Sequence, residues 1–233
     1  PNIDRVALRP EWQMPAPSLI VLTAIRLFLA AETLIGMVTG NLLAVFVALV
    51  AIGLTFVPQF LATRVNLALP NSFLAAIALF VLATIYLGEM YDLYNRLWWW
   101  DLALHGSSAM GFGIIGFLLI LMLFEGDRYA APPWALGVLS FCVAMTVGAL
   151  WEVFEYAMDQ LFGLNMQKSG LDDTMGDMMV NAVGAALAGL AGVAYLTGRA
   201  RGLGPAFEHF IAENRPRFRK LLPRTRRRPD KRD

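Results

Sequence analysis

DLALHGSSAMGFGIIGFLLILMLF, residues Asp101–Phe124, decides the fold. After its first turn the stretch carries no charge, and its last dozen residues are almost wholly apolar. At about 1.5 Å of rise per residue it is long enough to cross the ~30 Å hydrocarbon core of a bilayer. Its opening is different: Asp101 and His105 stand one turn apart, followed by Ser107 and Ser108. An ionisable group inside a spanning helix costs about 3 kcal/mol or more at the bilayer centre. The stretch is therefore a membrane helix with a polar end that needs a reason.

Five more segments read the same way, giving predicted spans over 18–39, 41–62, 72–95, 101–124, 133–162 and 174–197. Hydrophobic residues make up 58% of the chain and mean hydropathy is +0.56, which excludes an ordinary soluble domain. The expected fold is all-α, a polytopic bundle of about six helices over 18–197. A polar segment, 1–17, precedes it and a basic tail, 198–233, follows. The opening PNIDRVALRPEWQMP lacks a basic region followed by a short apolar core, so no cleavable signal peptide is expected and the first span serves as the insertion signal. Cys142, the single cysteine, excludes an internal disulfide and a cysteine-based metal motif. Pro58 is placed to kink or stop the second helix, and Pro132-Pro133 to start the fifth.

Charge sets the expected orientation. Residues 198–233 carry 12 Lys/Arg against 4 Asp/Glu, whereas the rest of the chain carries 7 against 14. The positive-inside rule keeps such a tail in the cytoplasm, and an even number of spans brings the N-terminus there too. Arg64 and Arg128 fall in the two inner loops. The tail contains a candidate amphipathic helix, PAFEHFIAEN, with Phe207, Phe210 and Ile211 on one side. Its basic residues suit anionic lipid, at about 1 kcal/mol per residue near the surface. The plain role of the tail is topology signal and surface anchor, and no nucleic-acid partner is expected.

Twelve polar or charged side chains then fall at one side of the membrane. Glu89, Asp92, Asn95 and Arg96 close the third span; Asp101 and His105 open the fourth. Glu152, Glu155 and Asp159 close the fifth; Asp173, Asp177 and Asn181 open the sixth. At about 100° per residue Glu152, Glu155 and Asp159 lie within about 60° of one another, with Gly148 on the same face leaving room. Asp101, His105 and Ser108 form a second stripe. Asp173, Asp177, Asn181 and Gly184 form a third, and Glu89, Asp92 and Arg96 a fourth. Four stripes at one depth predict a polar pocket open to the periplasm. Tyr91, Tyr94 and Trp98–Trp100 form an aromatic belt at that interface. Gly106, Gly111, Gly113 and Gly116, with Gly176, Gly184, Gly189 and Gly192, mark the fourth and sixth spans as the closely packed ones. The second span, uncharged, reads as peripheral.

Three chemistries fit the pocket. His105, Glu152, Glu155, Asp173 and Asp177 offer one imidazole and four carboxylates, a set suited to zinc, manganese or iron, or to magnesium if oxygens dominate. Asp101 would orient His105 by a hydrogen bond, and Asn181 would position a substrate or a carboxylate. His105, Glu152 and Glu155 are then the candidate catalytic residues of a hydrolase or transferase. Without a metal, one carboxylate of raised pKa and His105 would relay protons, as in a proton- or cation-coupled transporter. The third chemistry is structural: Asp101–His105 as an orienting pair, Arg96 neutralising Glu89 or Asp92, and Thr174-x-x-Asp177 as a helix capping box. A non-catalytic subunit of a membrane complex, or a homo-oligomer, fits the same residues. Arg26 and Glu32 in the first span, six apart, do not share a face, and Arg26 calls for an internal partner. No HExxH or GxSxG motif is present.

The order Asp101-x-x-x-His105, Trp151-Glu152-x-x-Glu155, Asp173-Thr174-x-x-Asp177-x-x-x-Asn181-x-x-Gly184 resembles the YjdF-type bacterial inner-membrane proteins. It is similar to the wider VanZ-like pattern as well. The resemblance covers about residues 85–195. It implies a multi-pass protein of the bacterial inner membrane. Through the association of VanZ-like proteins with glycopeptide tolerance, it points toward lipids of the cell envelope.

Overall fold

The computed structural model describes residues 16–124, 131–199 and 204–221. The described residues are helical with no strand, and six helices are long and apolar enough to cross a membrane. The chain forms two compact units, Pro1–Arg96 and Leu97–Asp233.

The first unit holds α1 (Ala16–Thr39), α2 (Leu42–Arg64), α3 (Asn71–Val81) and a short α4 (Leu93–Arg96). Gly40 turns the chain with φ 72°, and Asn41 caps α2 by accepting from the Ala44 N–H at 3.1 Å. Leu22, Ile25 and Leu29 of α1 pack on Ala48 and Ala51 of α2 and on Leu74, Ala75 and Ala78 of α3. Small residues at these positions bring the backbones close, which in lipid replaces the hydrophobic drive as the source of helix association. Pro58 sits inside α2 without ending it. Arg26 has its internal partner: Nε and a terminal nitrogen donate to Thr55 Oγ1 and Thr55 O, each at 3.1 Å, and the guanidinium stacks on Phe56 at 3.8 Å. Glu32 turns elsewhere, accepting from Tyr86 Oη at 2.8 Å and Tyr91 Oη at 3.4 Å.

The third span departs from the expected continuous helix over 72–95. After Val81 it changes to a π-helix, Leu82–Met90, and stops. Asp92 takes a left-handed φ of 59°, and α4 begins only at Leu93. Glu89, Asp92 and Arg96 therefore do not form one helical stripe. The ring of Tyr94 folds back into the place a side chain at Gly88 would occupy. Only glycine admits the ring there.

The second unit holds α5 (Trp100–Phe124), α6 (Pro133–Phe162), α7 (Leu171–Leu196) and α8 (Gly204–Leu221). The first three pack on one another through small residues. Gly184 of α7 lies directly on the carbonyl oxygen of Gly106 in α5, and Gly189 lies on that of Gly137 in α6. Ser140 Oγ, fully buried, donates to Gly113 O at 2.7 Å and ties α6 to α5. Pro133 opens α6 as expected, and Gly163 closes it at φ 67°. In α8, Phe207 and Phe210 are buried, with Phe207 against Phe117 at 5.9 Å and Tyr195 at 5.1 Å. The expected amphipathic segment is thus helical and docks by its aromatic side. Arg128, residues 1–15 and the basic run after residue 221 lie outside the described residues.

Candidate metal centre

Helix α7 starts at Leu171, earlier than the expected 174, with Gly170 as its N-cap. Thr174-x-x-Asp177 is therefore not a capping box. Thr174 Oγ1 instead accepts from Gln167 Nε2 at 2.6 Å, and Asp177 stands inside the helix, 1% exposed. Asp159 also leaves the expected stripe. Its carboxylate accepts from the backbone N–H groups of Met166 and Gln167, at 2.7 and 2.9 Å, and clamps the loop between α6 and α7.

With the loop held, the start of α5, the late part of α6 and the start of α7 meet around one imidazole. His105 is buried at 8% exposure. Its Nδ1 faces Glu152 Oε1 at 3.5 Å, and its Nε2 faces Asp101 Oδ1 at 3.6 Å and Asp177 Oδ2 at 3.8 Å. Two groups have ligand atoms that all lie within 4.8 Å of one another: Asp101, His105 and Asp177, and His105, Glu152 and Glu155. Asp173 belongs to neither, although one of its oxygens is buried without a partner. The charge of Lys168, in the loop before α7, acts on Asp101 and Asp173. Glu89, Asp92, Asn95 and Arg96 belong to the first unit, where Asn95 Nδ2 donates to Asp92 Oδ1 at 2.5 Å.

The polar groups in this cluster are conspicuously unsatisfied. Both oxygens of Glu152, Asp177 Oδ2, and both amide atoms of Asn181 are buried with no close hydrogen-bond partner. Leaving one such group unpaired costs about 1–3 kcal/mol, and more when it is charged. A divalent cation would give a partner to the carboxylate oxygens that ligate it. Ligands held about 2.1 Å from a tetrahedral ion stand about 3.4 Å apart, close to the spacings around His105. One nitrogen among several carboxylates suits zinc, manganese or iron. The residues present fit such an ion.

Supporting contacts complete the geometry. Trp151 Nε1 donates to Glu155 Oε1 at 2.9 Å, one turn along α6. The i, i+4 spacing is the sequence signal for this contact, and the expected site residues do not include Trp151. Gly148, one turn before Glu152, leaves the space that Asn181 fills.

Residues 20–198 match the family described as "Predicted membrane protein (DUF2238)". The chain belongs to that family. The matched region includes all six apolar helices almost entirely, and every residue of the His105 cluster. An uncharacterized protein of Thermotoga maritima is 26% identical over 98 residues, 42% of this chain. That alignment spans half of the relative's length. No solved structure matches the chain.

Proposed function

We propose that this family member is a multi-pass protein of the bacterial inner membrane, of the YjdF type. In this reading it binds a divalent cation at His105 and acts as a hydrolase or transferase on a lipid-linked substrate of the cell envelope. The observation that carries the reading is Glu152: a carboxylate 5% exposed, inside a membrane helix, with neither oxygen in a close hydrogen bond, the Thr174 hydroxyl acting on it and an imidazole nitrogen 3.5 Å away. Burying a charge without a partner is among the costliest arrangements a membrane helix can hold.

His105, Glu152 and Glu155, with Asp173 and Asp177, are the candidate ligands. Bound there, the ion would supply Lewis acidity toward a phosphate or ester oxygen. Asp101, 3.6 Å from His105 Nε2, would orient the imidazole by accepting a hydrogen bond from it. Asn181, with a free donor and a free acceptor, positions the substrate. Both termini are cytoplasmic in this reading, because the basic tail resists translocation, and the cluster opens to the periplasm. The tail then lies against anionic lipid at the cytoplasmic face. The resemblance to the VanZ-like pattern supports an envelope lipid as the substrate class.

The test is metal content by mass spectrometry on detergent-purified protein, wild type beside His105→Ala and Glu152→Gln. Near-stoichiometric metal in the wild type, lost in both variants, is the expected result, and it would direct a screen of phospholipid and glycolipid hydrolysis. Folded wild-type protein without metal overturns the reading and leaves proton-coupled transport or an accessory role.

A further inference from the structure

His105 stands between two ligand groups, but a neutral imidazole has one lone pair to give. The other ring nitrogen carries a proton and needs an acceptor. The two groups are therefore alternatives with respect to the ring. Either Nε2 binds the ion with Asp101 and Asp177 while Nδ1–H turns to Glu152, or Nδ1 binds it with Glu152 and Glu155 while Nε2–H turns to Asp101.

We infer that the ion sits on the Nδ1 side, held by His105, Glu152 and Glu155, with Nε2–H donated to Asp101 and with Asp177 and Asn181 outside the ligand set. This assignment rests on the metal-binding reading above and deepens it. Four observations separate the two sides. Glu152 has both oxygens buried without a close hydrogen bond, although the Thr174 hydroxyl acts on the carboxylate, so a single hydrogen bond from Nδ1–H would still leave an oxygen without a close partner. The Asp101 side chain, by contrast, is 27% exposed and can hydrate the oxygen that His105 does not use. Glu155 is already oriented by Trp151 Nε1 through one oxygen, which leaves the other to ligate; ligating carboxylates commonly carry such a supporting hydrogen bond. Finally, Asp101 lies four residues before His105 on the same helix, where it can hold the ring without any movement of α6 or α7.

The remaining pair follows from the same division. Asp177 and Asn181 lie one turn apart on α7, each 1% exposed, with Asp177 Oδ2 and the whole Asn181 amide unpartnered. Off the ion, they are two acceptors and a donor offered to the reacting molecule rather than to the metal.

The experiment is zinc titration of the full chain in detergent, comparing wild type with Glu152→Gln, Glu155→Gln, Asp101→Asn and Asp177→Asn, with folding checked by gel filtration and thermal unfolding. Expected are losses of affinity of at least about 100-fold for Glu152→Gln and Glu155→Gln, about 10–100-fold for Asp101→Asn, and under about 3-fold for Asp177→Asn. Asp177→Asn losing zinc while Glu155→Gln keeps it overturns the assignment, and so does equal loss in all four. A second measurement needs no change in the cluster: nitrogen-15 NMR of labelled histidine in zinc-loaded His209→Asn protein, in which His105 is the only histidine left. Nδ1 metallated and Nε2 protonated is expected; the reverse overturns the assignment. A wild type that binds no zinc or other divalent ion refutes instead the reading on which the assignment depends.

Discussion

Gly148 of α6 and Asn181 of α7 are fitted to each other. A Cβ on residue 148 would stand 2.7 Å from Asn181 Nδ2 and 3.0 Å from its Cγ, and Asn181 is itself 1% exposed. Gly148→Ala should therefore displace a buried side chain and cost about 1–3 kcal/mol. Thermal unfolding in detergent measures it. Gly111→Ala is the control: a Cβ there meets nothing within 4 Å, so the change should stabilise α5 by up to about 1 kcal/mol. Equal stability of the two variants would refute the fit.

Gly184→Ala should do more damage. Its Cβ would meet the carbonyl oxygen of Gly106, which is backbone and cannot rotate aside. A destabilisation at or above the upper end of about 1–3 kcal/mol is expected, with loss of zinc because α5 and α7 both border the cluster. Unfolding and zinc titration on the same preparation check both parts. A wild-type Tm in Gly184→Ala would show that the helices are not in backbone contact.

Trp151→Phe keeps an aromatic ring against Phe154, whose ring centroid is 5.2 Å from that of Trp151, but removes the donor to Glu155. Supporting hydrogen bonds of this kind are worth about 10–100-fold in metal affinity. Zinc binding should weaken by about 10-fold with little change in Tm. An unchanged zinc affinity would mean that Glu155 does not depend on the indole.

Tyr91 gives a pH prediction outside the spans. The Glu32 carboxylate beside its hydroxyl, with burial second, raises the phenol above its usual value of 10.0. Because folding raises this pKa, the neutral phenol is the stabilised form. Its contribution is full below about pH 10 and is lost as pH rises through the higher folded value. Phenolate absorbance, taken as the difference between wild type and Tyr91→Phe, should show a midpoint above 10 that falls back in Glu32→Gln. A midpoint indifferent to Glu32 would refute the contact.

Much of this was legible in the chain. Long apolar runs gave six spans because lipid imposes their length, and helical spacing placed Asp101 with His105, Glu152 with Glu155, and Asp177 with Asn181 on single faces of three consecutive spans. What escaped was local. Residues 82–88, LATIYLG, are as apolar as the α-helix before them, so hydropathy carried no trace of the π-helix, and only Gly88 marked the space into which Tyr94 folds. Asp159 shares the face of Glu152 by angle, but it lies near enough to the end of α6 for backbone N–H groups of the following loop to claim it. Thr174 and Asp177 have the spacing of a capping box, yet the helix takes in Leu171–Asp173 as well, because Gly170 can adopt the φ of 65° that starts it there.

The carbonyls of Gly106 and Gly137 resting on α7 have a mechanical meaning. With no side chain between the backbones there is nothing for the helices to roll over, and any sliding of α7 would drive bare peptide groups into each other. Close backbone contact thus ties α7 to both of its neighbours beside His105. A carrier that works by parting these helices would have to break both contacts on every cycle.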